Sequence, residues 1–285
     1  MFSDYYYIPE LTFFLTFYLW LGFFVRLVLP SPGNINQITP YFYWMYYANM
    51  VSLVHWLLGI IAPAIVFYYY GFQMNREALY VHHLVMLNST AYFLYDTVAE
   101  KLYGVLDIMT ATHHLSVIIL GAYFYWNKYG GDEYLMTLFL GELSNPCLIL
   151  RTILKSLRLS NTLYFTYIEG WFAISFLLIR VLVAPFWIDM ILQAENCPFG
   201  HKLGVSIVFT ISMGWNTKIL AIVFKRYKQL FGRPPYFLQQ LENFFAKIDN
   251  GEIEYYIFYG IVMWFSVVYP LVYYGAYKQT LFLSY

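Results

Sequence analysis

The chain has 285 residues, of which 61% are hydrophobic and 11% charged, with a mean hydropathy of +0.55. Soluble domains carry about 25% charged residues, so the composition excludes an ordinary soluble protein and predicts an all-α, polytopic membrane helix bundle. Sixteen basic residues balance sixteen acidic ones without a long run of either sign, which argues against nucleic acid as a partner.

Apolar segments near the ~20 residues that a membrane helix requires predict eight spans. They lie at 8–29, 41–70, 84–99, 110–127, 134–154, 163–192, 203–225 and 253–277. No basic residue precedes Arg26, so the first segment resembles neither a secretory signal nor an Arg-rich presequence and is expected to remain as a helix. The third is short and carries Asn88 and Asp96. Tyrosines gather at 5–7, 41–47, 68–70 and 255–259, where spans meet headgroups, as an aromatic belt does. Between the last two spans, apolar residues at Phe237, Leu238, Leu241, Phe244 and Phe245 predict a short amphipathic helix on the membrane surface.

Loop charges set orientation, because Lys and Arg favour the cytoplasmic or matrix side. With eight spans, ten basic residues share one side, Arg26 and Arg151 among them, and Arg76, Lys128, Lys202 and Lys278 share the other. Both termini then face the non-cytoplasmic or intermembrane-space side. Without the third span the count is again ten against four, so charge alone leaves seven and eight spans open.

Ionisable groups at membrane depth are costly and mark function or internal pairing. The spans contain His55, Asp96, His113, His114, Glu142, Asn145, Glu169, Arg180, Asn216 and Lys218, and all but Glu169 are expected to face the bundle interior. Glu142 and Asn145 share a helix face, and Pro146 withholds the amide that would bond the Glu142 carbonyl, which predicts a bend at the acid. Arg180 requires a counter-ion, with Glu142 or Asp96 as candidates. Thr110 or Thr112 is expected to cap the fourth helix, which would set His113 and His114 in its first turn as neutral rings. Adjacent residues diverge by about 100°, so one imidazole of the two would face a given point. For His55 alone, an interhelical hydrogen bond is the simpler role. His82 and His83, at a span boundary, are expected to be interfacial. Cys147 and Cys197 have no metal-site or CxxC spacing, so neither a metal nor a disulfide is expected.

Five pieces in order resemble the TLC-domain family, which includes the ceramide synthases: Ser52 with His55, Tyr92 with Asp96, His113-His114, Glu142 to Pro146 with Arg151, and Trp215-Asn216 with Lys218. They divide the chain into an N-terminal helix and loop at 1–47, a TLC-like domain at 48–231, and an amphipathic segment with an extra C-terminal helix at 232–285. The resemblance implies a seven-helix bundle around a narrow lipid-accessible cavity. Its polar centre would comprise Asp96, His113, His114 and Glu142, with His55, Asn145, Arg180, Trp215, Asn216 and Lys218 lining it or pairing within it. In ceramide synthases the histidine pair serves acyl transfer from acyl-CoA, together with aspartates on the next helix. Here that helix carries Gly141-Glu142 and Ser144-Asn145. The pattern is closer to the smaller TLC-domain proteins, which are associated with membrane lipid composition.

The resemblance implies a lipid- or acyl-chain-binding protein of the endoplasmic reticulum or mitochondrial inner membrane, with bound phospholipid and membrane lipids as its partners. If it is an enzyme, acyl-CoA is the expected co-substrate, with His113 as nucleophile or base. The alternative is a non-catalytic accessory subunit of a membrane complex such as a respiratory-chain assembly, a reading favoured by the aromatic tails at 5–7 and 282–285, with the eighth span as its contact helix. A transporter is disfavoured by the lack of an inverted repeat.

Overall fold

The computed structural model describes residues 8–32, 39–232 and 235–249. Its regular elements are α1 (Ile8–Val28), α2 (Pro40–Tyr70), α3 (Tyr80–Leu102), α4 (Ile108–Tyr125), α5 (Gly131–Leu143), α6 (Asn145–Ser156), α7 (Leu163–Leu177), a π-helical turn (Leu178–Val183), α8 (Ala184–Gln193), α9 (Phe199–Phe231) and α10 (Tyr236–Asp249). One isolated β-bridge, Glu77 to Tyr129, ties two loops together. Five stretches are long and apolar enough to cross a membrane: Ile8–Val28, Pro40–Tyr70, Ile108–Tyr125, Leu163–Gln193 and Phe199–Gln229. The chain is therefore an all-α, polytopic helix bundle. The eighth expected span and the aromatic runs at 5–7 and 255–259 lie outside the described residues.

The third expected span is a helix, and its polarity follows from its position. α3 packs against α1, α2, α4 and α5, and 15 of its 23 residues are buried, Asn88, Asp96 and Glu100 among them. A helix surrounded by protein has little lipid to face, so polar residues cost it less than they would an outer helix. α1 shows the opposite pattern. It exposes Phe13, Trp20, Phe23, Phe24 and Leu27 while burying Tyr18 completely.

Two local signals shape the site. The expected bend at the acid is a break at Ser144, which separates α5 from α6. Pro146 follows near the start of α6, where its missing N–H leaves no helical hydrogen bond unmade. The cap of α4 corrects the expectation of a threonine. Asp107 Oδ1 accepts from the backbone N–H groups of Met109 at 2.8 Å and Thr110 at 2.9 Å. Asp107 is a good N-cap because its carboxylate satisfies amides that the first turn leaves open. The helix thus starts earlier than expected and carries His113 and His114 in its second turn.

The described residues form two compact units. The first comprises 8–32, 39–172 and 194–204. Its core holds Tyr18, Val51, Ala91, Tyr92, Phe93, Ile149 and Ile153, with a second cluster around Met86, Phe124, Tyr134 and Leu135. The second comprises 173–193, 205–232 and 235–249. Within it Arg180 of the π-helical turn donates to Ser212 of α9 at 3.2 Å. Lys228 of α9 pairs with Glu242 of α10 at 2.7 Å. α10 is the short amphipathic helix expected from the sequence, and Phe237 on it is exposed.

Candidate functional site

In the first unit α1 to α6 bring polar side chains together around the ring of Tyr92. Asp96 lies one turn beyond Tyr92 on α3, and the Tyr92 hydroxyl is 3.1 Å from Asp96 Oδ2 and 2.9 Å from Ser52 Oγ of α2. His114 of α4 approaches the same carboxylate, Nε2 to Oδ2, at 3.7 Å. Its other nitrogen, Nδ1, is 3.1 Å from Thr97 Oγ1, and that hydroxyl donates to the Phe93 carbonyl. With its proton committed to the carbonyl, Thr97 accepts from His114 Nδ1–H, and the lone pair at Nε2 faces Asp96. An imidazole oriented by one hydrogen bond and aimed at a carboxyl is the arrangement that acid–base chemistry uses.

A second acid–histidine pair lies against the ring of Tyr92. The His55 ring stacks on the Tyr92 ring at a centroid distance of 3.8 Å, with 6° between the planes. His55 Nε2 is 3.5 Å from Glu142 Oε1, and Glu142 Oε2 accepts from Asn145 Nδ2 at 3.0 Å. The break at Ser144 lets Asn145, on the next helix, reach back to the acid. Opposite Glu142 on α2 stands Gly59, where a Cβ would sit 2.7 Å from Glu142 Cγ. Tyr18 of α1 closes the far side: its hydroxyl is 3.3 Å from His55 Nδ1 and 3.0 Å from Asn88 Oδ1. Side chains of His55, Asp96, His114 and Glu142 are all buried.

Several positions differ from the expectation. His114 rather than His113 faces Asp96, and His113 is half-buried with its ring edge-on to Phe93. The cause is the 100° step between neighbours on a helix. Glu169, expected to point away from the interior, is buried and paired with Arg151 at 2.9 Å. Lys218, expected inside, is exposed. Arg180, Trp215 and Asn216 belong to the second unit with Lys218. There Arg180 lies over the Phe176 ring, and Asn216 donates to the Met213 sulfur at 3.6 Å.

Tyr18 and Asn88 were not singled out from the sequence. Nor was a second polar cluster, built where the loops of the first unit meet. Asp132, at the start of α5, pairs with Arg76 at 2.7 Å and lies 3.3 Å from His82 Nε2. Glu133 accepts from the backbone N–H of Asn75 at 2.7 Å. His82 and His83, at the start of α3, are both buried. Burial lifts the Glu133 carboxyl above its ordinary range, opposed by the Asn75 hydrogen bond. Burial pushes the nearby Cys197 thiol up to about 12. Two acids in the first turn of α5 and a lone Arg76 in the loop between α2 and α3 were the available signal for this clasp. Among the described residues no group of three or more His, Cys, Asp or Glu could hold a metal ion.

The profile of the TLC domain matches residues 47–224. No curated protein and no solved structure matches the chain. The matched range holds both acid–histidine pairs and covers more than half of the sequence, and on that ground the chain is an integral membrane protein of the TLC-domain family.

Proposed function

We propose that the polar centre around Tyr92 binds the polar end of a lipid or acyl chain, and that the protein acts on membrane lipid composition. The observation that carries this reading is the convergence of His55, Asp96, His114 and Glu142, all buried, within helices of a membrane protein. Groups so costly to bury at membrane depth are retained where they pair with one another or serve a polar ligand. The test is mass spectrometry of lipid that copurifies with the full-length protein. A defined lipid species is expected with the wild type, depleted several-fold in Asp96→Asn and Glu142→Gln. A lipid profile equal to that of the bulk membrane in all three overturns the reading.

A second reading, acyl transfer, is favoured by the orientation of His114 against Asp96. In it His114 takes the proton of an attacking hydroxyl or amine, Asp96 steadies the imidazolium, and the proton passes to the CoA thiolate as the acyl–sulfur bond breaks. Acyl-CoA consumption by purified protein is expected to fall at least 100-fold in His114→Gln, the lower end of what a positioned base supplies. Equal absence of turnover in wild type and variant discards it.

A further inference from the structure

We infer that His55 and Glu142 share a single exchangeable proton, with Tyr18 of α1 as the residue that sets where it sits. The argument is a count of donors. The Tyr18 hydroxyl has one hydrogen and gives it to Asn88 Oδ1 at 3.0 Å. Its oxygen is then an acceptor toward His55 Nδ1 at 3.3 Å, so Nδ1 must carry a hydrogen. A neutral imidazole with its hydrogen on Nδ1 has a lone pair on Nε2. Nε2 is buried without a hydrogen-bond partner, and Glu142 Oε1 lies 3.5 Å from it. Two lone pairs facing each other in a buried site repel, and one hydrogen between them removes the conflict. It lies either on the carboxyl, as a neutral acid and a neutral ring, or on Nε2, as carboxylate and imidazolium. Both forms have zero net charge, which avoids burying an isolated ion. Asn145 steadies the other carboxyl oxygen in either form, because its amide donates to Oε2.

The pair is separate from His114 and Asp96, though it lies against them. The ionisable groups around it are Tyr18 on α1, Tyr92 and Asp96 on α3, His114 on α4 and Tyr134 on α5. Tyr92 presents its ring to His55 and its hydroxyl to Asp96 and Ser52, so no hydrogen bond joins the two pairs through it. The centre therefore holds a proton at His55 and Glu142 that a ligand can take up or return. This inference rests on the polar centre being the working site proposed above, but its test does not depend on lipid.

The test is nitrogen-15 NMR of histidine-labelled, full-length protein in lipid nanodiscs, with the His55 signals assigned by their loss in His55→Gln. The expected result is a hydrogen on Nδ1, with Nε2 shifted away from a bare lone pair toward its protonated position. In Glu142→Gln that Nε2 shift is expected to disappear while the Nδ1 hydrogen stays. In Tyr18→Phe the fixed tautomer is expected to be lost, with a form protonated at Nε2 appearing. A wild-type ring that bears its hydrogen on Nε2 alone, with Nδ1 bare, overturns the inference even if neither variant folds. An unchanged Nδ1 signal in a folded Tyr18→Phe removes Tyr18 from its positioning role and overturns that part. Copurified lipid is measured on the same samples. A protein with no defined lipid but with the shared proton would remove the functional reading and leave this one standing.

Discussion

At the scale of single residues, the chain separates groups that are paired from groups that are merely hidden. Asp132 is fully buried and answers Arg76, His82 and the backbone amide of Gln73. Removing one partner of such a pair leaves a buried charge uncompensated, at about 3–5 kcal/mol. Asp132→Ala is expected to lose about 3 kcal/mol of stability, read as a shift of the unfolding transition in detergent, and a loss below experimental error would show that the clasp is not structural. Cys197 tests burial alone. With its thiol pushed up to about 12, almost none of it is thiolate at neutral pH. Mass spectrometry after brief maleimide treatment is expected to find Cys197 unlabelled in the native protein and labelled after unfolding. Much of the polar centre was legible in the sequence, because Asp96, His114, Glu142 and Asn145 are costly where they stand. Tyr18 was not. One tyrosine among 31 in an apolar, aromatic chain looks like belt or packing until its hydroxyl is seen against His55 and Asn88.

At the scale of helices, proline and glycine signals were the most legible and capping the least. The break before Pro146 falls at Ser144, just after the acid at which the bend was expected, whereas Asp107 took the cap from Thr110 because its carboxylate reaches two amides at once. The close approach of α2 to Glu142 could not be read from composition, since a glycine in an apolar helix carries no mark of what it faces. Gly59→Ala puts a Cβ 2.7 Å from Glu142 Cγ. It is expected to destabilise by about 1–3 kcal/mol, the usual cost of overpacking, measured by the same unfolding transition, and to displace the acid from His55. The π-helical turn was equally unannounced, although Pro185 gives its reason. Proline cannot donate to a carbonyl of the preceding turn and its ring crowds that carbonyl, and Ala184 instead bonds the Ile179 carbonyl five residues back. Deleting Leu182 is expected to restore a regular α-helix there. Because one residue is about 100° of rotation, the buried stripe of Trp187, Ile188 and Ile191 would be turned from its seat. Accessibility of a cysteine placed at Ile191 would report the change, and a still-protected cysteine would refute it.

At the scale of the whole chain, a helical bundle is dictated by the long apolar segments, and lipid-facing α1 and protein-facing α3 are told apart by polarity. The weak apolar signal of α3 measured how much protein surrounds it. What local patterns could not carry was the pairing of residues far apart in the chain, such as His82 with Asp132 and Tyr18 with His55. The family match begins at residue 47, after α1 has ended, yet α1 supplies Tyr18 to the centre. Replacing α1 by an unrelated apolar helix with no tyrosine at this position is expected to leave membrane insertion intact and to lower retention of copurified lipid, with unchanged retention as the contrary result. The segment that defines the family is thus not the segment that tunes its histidine. Two proteins alike from residue 47 onward would hold His55 in different tautomers if their first helices differed at a single hydroxyl, so the first helix is a place where members of one family can diverge in chemistry while keeping the same domain.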